Sequence, residues 1–400
     1  MKLLKTKGFR LIILPGILII SITILFISYK KSCSTSNNTA DTSFHSFELP
    51  APAFIDGSVK NRLSDYCNNW YDQFLQRSEF NGGMIVAQQG NIIFEKYNGS
   101  AHLHSIDVVN ANTPFHIASV SKTFTAMAVL KLWQDNKINI DDLFSKYFPN
   151  FNYPGITIRS LLSQRSGLPN YVYFMDELGW DKKKYVTNND ILNYLINRKA
   201  DLKNVERPNT HFNYCNTNYA LLALLIEKVT QTSYPEYLRK TIFVPLGMNN
   251  TFVYSDKDSA KTNPSYDWKG REAAFIDVDK VYGDKNIFST PQDLLKWDQL
   301  LRTESFLSKS TLDEAYKPYS NERPGVRNYG LGWRMYNFPN GKKIIYHNGW
   351  WHGSNAVFIR LLEEQATIIV IGNKYNRNIY KAKDLIGIFT QSFSTDGEEE

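Results

Sequence analysis

Ser119 and Lys122 stand three residues apart in FHIASVSKTFTAMAVL, which begins at Phe115 and runs into the mostly apolar stretch Thr123–Trp133. On a helix, residues i and i+3 are neighbours, so this spacing lets the lysine amine reach the serine hydroxyl. A serine hydroxyl is a weak nucleophile until a base takes its proton. An amine can do so where burial and neighbouring groups disfavour its charged form. The N-terminus of the same helix adds unpaired backbone N–H groups, which suit an oxyanion. The plainer explanation of Ser119 is a helix N-cap, and the spacing alone carries little weight, because Ser28 and Lys31 repeat it beside a long apolar run.

Two other stretches supply partners. Tyr214-Cys215-Asn216 precedes an apolar helical pattern in HFNYCNTNYALLALL, and His347-Asn348-Gly349 in YHNGWWHGSNAVF reads as the turn between two strands. Each has an ordinary alternative: a core tyrosine, a helix cap and a hairpin turn. In this order, and with the flanks ITIRSLLSQRSGLPNY, PLGMNNTFV, GDKNIFSTPQDLLKW and YGLGW, the chain resembles the serine β-lactamase and penicillin-binding protein superfamily in its class C-like branch, over about residues 81–393. The resemblance implies Ser119 as the acylated nucleophile and Lys122 as its base or proton relay. It implies Tyr214 as the general acid–base and Asn216 as the amide that orients the substrate carbonyl and Lys122. His347, Gly349 and Trp350 fall on the substrate-binding side, with the backbone N–H groups of Ser119 and Trp350 as the oxyanion hole. The activity implied is a serine hydrolase working through an acyl-enzyme on amide or ester bonds: a D-amino-acid peptidase, an esterase or a weak β-lactamase. Its substrate would be a small molecule or peptide, cell-wall fragments included, with no cofactor and no metal. The competing function is a penicillin-binding-like sensor or scaffold with little turnover.

Three departures from the family pattern bear on specificity. His347 stands where the KTG form of the motif has a permanent cation, and an ordinary imidazole titrates near ~6.5. This predicts carboxylate recognition that strengthens as pH falls. Cys215 reads as a buried packing thiol. Trp350, Trp351 and His352 are bulky enough to wall the acyl pocket. His102 and His104 form no metal site without a third ligand, and neither HExxH nor GxSxG occurs.

The elements that must position these residues follow from periodicity. A helical stripe covers about residues 59–76, and GGMIVAQQGNIIFEKY reads as a hairpin about Gln89-Gly90-Asn91. ITIRSLLSQ, NDILNYLINR, TNYALLALLIEKVTQ and TPQDLLKWDQLL read as helices. From Tyr329 strands return, and a last helix covers about residues 380–393. Strands at both ends and helices between predict an α/β (α+β) fold of the β-lactamase/transpeptidase type, an antiparallel sheet flanked by helices with an all-helical insert at about 125–280.

Four hundred residues with 42% hydrophobic content can bury a large core. The net charge of +7 is scattered without a basic stripe, which excludes nucleic acid as a partner. Three cysteines make no disulfide framework. The uncharged run Leu11–Ser28, with four basic residues before it and Lys30 and Lys31 after it, predicts a membrane anchor over residues 1–31. A flexible linker over 32–55 and a hydrolase domain over 56–395 would follow, on the extracytoplasmic side of a bacterial cell membrane in a single-pass arrangement.

Overall fold

The computed structural model describes residues 46–103 and 105–390. Among them no helix is long and apolar enough to cross a membrane, which overturns the single-pass membrane localisation. The run Leu11–Ser28 that carried that expectation lies outside the described residues, as do Cys33, His104 and the acidic end of the chain. Within the stretch read as a linker, the part from Ser46 onward lies on the domain. Phe47 stacks edge-on to Phe306 at 5.9 Å, and its N–H donates to Pro245 O at 2.9 Å. An apolar side chain with a neighbouring apolar surface gains more by docking than by staying solvated.

In chain order the elements are α1 (Gly57–Trp70), β1 (Gly82–Gln88), β2 (Asn91–Asn98), β3 (Phe115–His116), α2 (Ser121–Gln134), α3 (Ile158–Leu162), α4 (Tyr171–Glu177), α5 (Asn188–Asn197), α6 (Asn216–Thr230) and α7 (Tyr234–Leu238). There follow β4 (Phe252–Val253), β5 (Ile287–Ser289), α8 (Pro291–Leu300), α9 (Lys309–Ala315), β6 (Arg327–Tyr329), β7 (Arg334–Asn337), β8 (Lys343–Trp351), β9 (Ser354–Leu361) and β10 (Ala366–Gly372). The described strands form a seven-stranded antiparallel sheet, β2-β1-β10-β9-β8-β7-β6, and a small sheet β3-β5-β4. The two ends of the chain therefore meet at the β1–β10 pair, where Gly82 faces Gly372. The β1–β2 hairpin turns at Gln89 and Gly90, both at positive φ, as a two-residue turn requires.

The sheet is buried on both faces. Helices α2, α6 and α8 cover the inner face around Phe124, Tyr219, Trp297 and Phe358; α1 and residues 377–388 cover the outer face around Trp70, Val357 and Ile368. Helices α2 and α6 are buried nearly all round, so their apolar residues show no single stripe. The last segment, Arg377–Ile388, is a run of tight 3₁₀ turns rather than the α-helix expected over 380–393. His347-Asn348-Gly349 is not a turn: it lies inside β8, and the chain reverses at His352-Gly353. The reason is visible in register, because Trp351 still pairs with Ser354, leaving two residues for the turn.

One ionic junction fastens α8 to the sheet. Asp298 accepts from Arg360 Nε at 2.6 Å, from Arg302 Nε at 2.8 Å and from the Thr367 hydroxyl, joining α8 to β9 and β10. Arg360 is fully buried, and its guanidinium also reaches the Tyr316 hydroxyl. Removing one partner of a buried pair strands the other charge, at a cost of roughly 3–5 kcal/mol. Asp298→Ala should lose stability on that scale by urea unfolding; a loss below about 1 kcal/mol would mean the junction contributes no more than a surface pair.

Candidate active site

Helix α2 begins two residues after Ser119, which sits in a 3₁₀ turn over Ala118–Val120. Ala118, just before it, has φ +47°, a conformation disfavoured for a residue with a Cβ and held here by its surroundings. The facing strand is one of them. A Cβ on Gly349 of β8 would lie 2.4 Å from Ile117 O, so only glycine lets the strand rest on the backbone that presents Ser119.

Lys122 is fully buried in the first turn of α2. Its Nζ donates to Ser119 Oγ at 3.1 Å, to Asn216 Oδ1 at 2.8 Å and to Asp284 O at 2.8 Å. Three oxygens thus surround the Lys122 nitrogen. Asn216 opens α6, so the apolar residues behind it set its position, and no side chain caps that helix end. The Tyr214 ring lies 5.0 Å from Lys122 Nζ, with the Arg334 guanidinium 5.2 Å from the same ring.

The flanks recognised in the sequence have mechanical roles. Gln164 accepts from Cys215 N–H at 3.0 Å and from Asn218 Nδ2 at 2.7 Å, while its own carbonyl accepts from Asn213 N–H. It thereby clamps the segment carrying Tyr214 on both sides. In YGLGW, Gly332 has φ +85°, and a Cβ there would lie 2.2 Å from Ala126 of α2. In GDKNIF, Asp284 supplies both the carbonyl under Lys122 and a carboxylate that accepts from the Tyr171 hydroxyl at 2.9 Å. The neighbouring Lys285 is buried against that carboxylate at 3.5 Å, donates to the Tyr171 hydroxyl and lies 4.7 Å from the Trp351 ring. Burial pulls the Lys285 pKa down, against the attraction of Asp284 and Asp279.

Ser119, Tyr214, Asn216, Gly349 and Trp350 line one cavity of about 1280 Å³, walled further by Trp351 and His352. Trp350 is 63% exposed, whereas the Trp351 indole and the His352 ring both bond to Asp279. Cys215 is buried, and desolvation pushes its thiol up, as a packing residue should behave.

His347 is the residue whose expected role fails. It is 1% exposed, its Nδ1–H donates to Asn348 O at 2.7 Å, and Tyr329 closes over Nε2 at 3.5 Å. Burial pushes its pKa well below 6.5, helped by the charges of Arg334 and Lys122. It is a neutral structural histidine, not a titrating cation facing a carboxylate. Arg334 on β7, opposite Tyr346 of β8, is one of the cations that line the cavity. The sequence reading passed over it; the available signal was a basic residue directly after the YGLGW flank.

These observations stand beside three comparisons. The Beta-lactamase family model matches residues 68–389, and the chain belongs to that family. It is 30% identical over 358 residues to Penicillin-binding protein 4* of Bacillus subtilis (strain 168), covering 84% of this chain and 78% of that protein. It is 27% identical to Protein flp of Staphylococcus aureus (strain NCTC 8325 / PS 47), over 75% of this chain but 61% of that longer relative. Among solved structures, a penicillin binding protein from Bacillus halodurans aligns at TM-score 0.69 and 20% identity, covering 80% of this chain and 98% of that one. D-amino acid amidase from Ochrobactrum anthropi SV3 aligns at 0.67 and 21%, covering 82% and 97%. These last two likenesses establish the β-lactamase/transpeptidase-like fold.

A neutral buried histidine has a consequence for stability. Unfolded, His347 binds a proton below about pH 6.5; folded, it does not, so stability falls as pH drops through that range by up to about 1.4 kcal/mol per pH unit for each such group. His116, buried and lowered to about 4, acts in the same direction. His347→Gln should remove its share, reducing the slope of unfolding free energy between pH 5 and 6.5 measured in urea. An unchanged slope would return the charge to His347.

Proposed function

We propose that this chain is a serine hydrolase acting through an acyl-enzyme on amide or ester bonds of small or peptide substrates. The observation that carries the reading is the buried Lys122 amine, which bridges Ser119 Oγ and Asn216 Oδ1 at the inner end of an open cavity. A core has no use for a buried lysine nitrogen aimed at a hydroxyl on a cavity wall, whereas nucleophile activation needs one.

In this reading Ser119 Oγ attacks the substrate carbonyl carbon, forming a C–O bond as its proton passes to the Lys122–Tyr214 pair. The carbonyl oxygen takes the negative charge between the backbone N–H groups of Ser119 and Trp350. Collapse of the tetrahedral species breaks the bond to the leaving amine or alcohol, which receives a proton from the same pair. Water then adds to the ester on Ser119 and releases the acid. Asn216 holds both Lys122 and the substrate's carbonyl side, and Arg334 offers a permanent charge to a substrate carboxylate, the role first expected of His347. The fold shared with D-amino acid amidase supports amide bonds of D-configured residues as candidates.

A fluorophosphonate should add its mass to the peptide holding Ser119, and Ser119→Ala should abolish both labelling and turnover. Lys122→Met, similar in length but without the amine, should retain the fold and slow acylation by about 10²–10⁴-fold, the range a general base contributes. Ser119→Asn would keep a helix cap but cannot form an ester; full activity in that variant would sink the assignment.

A further inference from the structure

Two buried polar groups that the reaction does not use meet at the strained residue beside the serine. His116 closes the two-residue strand β3, where it pairs with Phe288 of β5, and it is buried. Its Nδ1 accepts at 3.3 Å from the N–H of Ala118, the residue held at φ +47° just before Ser119. Its Nε2 meets Asn286 Oδ1 at 3.1 Å. The Asn286 amide has one orientation here, because its Nδ2 donates to Asp279 O and to Val281 O. An oxygen therefore faces the ring, so Nε2 carries the proton and Nδ1 is the acceptor. Both ends of the imidazole thus require the same neutral tautomer. Burial above all lowers its pKa, to about 4; Asn286 and Asp279 pull upward, while Lys285 and His352 add to the lowering.

The same chain of contacts reaches the other side of the site. Asp279, whose carbonyl receives the Asn286 amide, is itself buried. Its carboxylate accepts from Trp351 Nε1 at 2.7 Å and from His352 Nε2 at 2.9 Å. His352 begins the β8–β9 turn at φ +49°, and Trp351 directly follows Trp350. Strand β8 therefore rests on Ile117 and Ala118 through Gly349, and its end is tied back to Asp279. The Ser119 N–H lies one residue after the first anchor, and the Trp350 N–H one residue before the second.

We propose that His116, Asn286 and Asp279 are positioning residues for the reaction. They form one buried brace that fixes the two backbone N–H donors of the oxyanion hole relative to each other, the His116 ring holding the Ala118 turn in its left-handed conformation. The proposal rests on the serine hydrolase reading, in which those donors stabilise the tetrahedral oxyanion. None of the three lines the cavity, so they act through Ala118, Trp351 and His352. An oxyanion hole acts only when its donors are fixed before the charge develops, so play in one of them costs rate more than substrate binding. Ala118 is the weak point, since a residue with a Cβ returns to negative φ when released.

Amide side chains can replace one ring nitrogen at a time. The Oδ1 of asparagine falls where Nδ1 was, whereas the glutamine amide reaches the place of Nε2 and leaves the Ala118 N–H unmet. In the full chain, His116→Gln should slow fluorophosphonate labelling of Ser119 and kcat for p-nitrophenyl acetate by at least ~10-fold. That is short of the ~10²–10³-fold cost of losing a whole donor, and KM should change by less than about 3-fold. His116→Asn should recover most of the rate. Adding Ala118→Gly to His116→Gln should recover it too, because glycine takes positive φ without support. Asp279→Asn should also slow labelling, but Ala118→Gly should not relieve that loss, since it frees the other donor. The thermal midpoint reports that each variant is folded. Nitrogen NMR of isotope-labelled histidines tests the brace without a substitution: His116 should carry its proton on Nε2 and none on Nδ1. A proton on Nδ1 overturns the proposal, as does equal slowing by Gln and Asn, an unslowed Asp279→Asn, or a His116→Gln loss that Ala118→Gly leaves in place. If the unaltered chain fails to label, the hydrolase reading falls and the tautomer still judges the brace. If it labels and His116→Gln labels as fast, that reading stands and this proposal falls.

Discussion

A buried lysine nitrogen has to be surrounded by polar partners, and the three that surround Lys122 come from three separate parts of the chain. Ser119 lies one turn before it, Asn216 opens α6, and Asp284 precedes β5. Leaving such a group unpaired costs several kcal/mol, so the folded state must bring these segments together or forfeit that energy. The same requirement that stabilises the hub thus assembles the site. The devices around it serve the same end: Gln164 clamps the Tyr214 segment, and Gly349 and Gly332 let strand and turn approach α2 closely.

Around this hub the sheet divides the labour between its faces. The inner face is packed by helices that carry Lys122 and Asn216, which makes the reacting end rigid. The outer face is packed by α1 and by Arg377–Ile388 around Trp70, Val357 and Ile368. His347 is neutral because its ring is sealed between Tyr329 and Asn348 O, whereas Arg334 two strand residues from Tyr336 keeps its charge at every pH at which the protein folds.

Much of this was legible in the chain alone, because it depends on local spacing. Ser119 and Lys122 three residues apart, an asparagine at the start of an apolar helix, a Gln-Gly hairpin and strands at both ends of the chain all express short-range geometry, and each stands where its pattern puts it. Family membership follows from the order of those motifs and agrees with the match over residues 68–389. What spacing does not encode is depth. Nothing in YHNGWW says that His347 faces inward while Asn348 and Gly349 meet the cavity; that depends on where β8 sits in a sheet buried on both faces. The turn assigned to His347-Asn348-Gly349 also belongs at His352-Gly353, because register with β9 sets it. Arg334 lies far in sequence from Arg377 and Lys383, and the three look like scattered surface charge until β7 and the terminal segment bring them to one cavity. The sequence by itself determined which groups can do the chemistry; only tertiary structure decided which are charged, which are sealed and which share a cavity, because desolvation and long-range pairing exist only once the chain has folded.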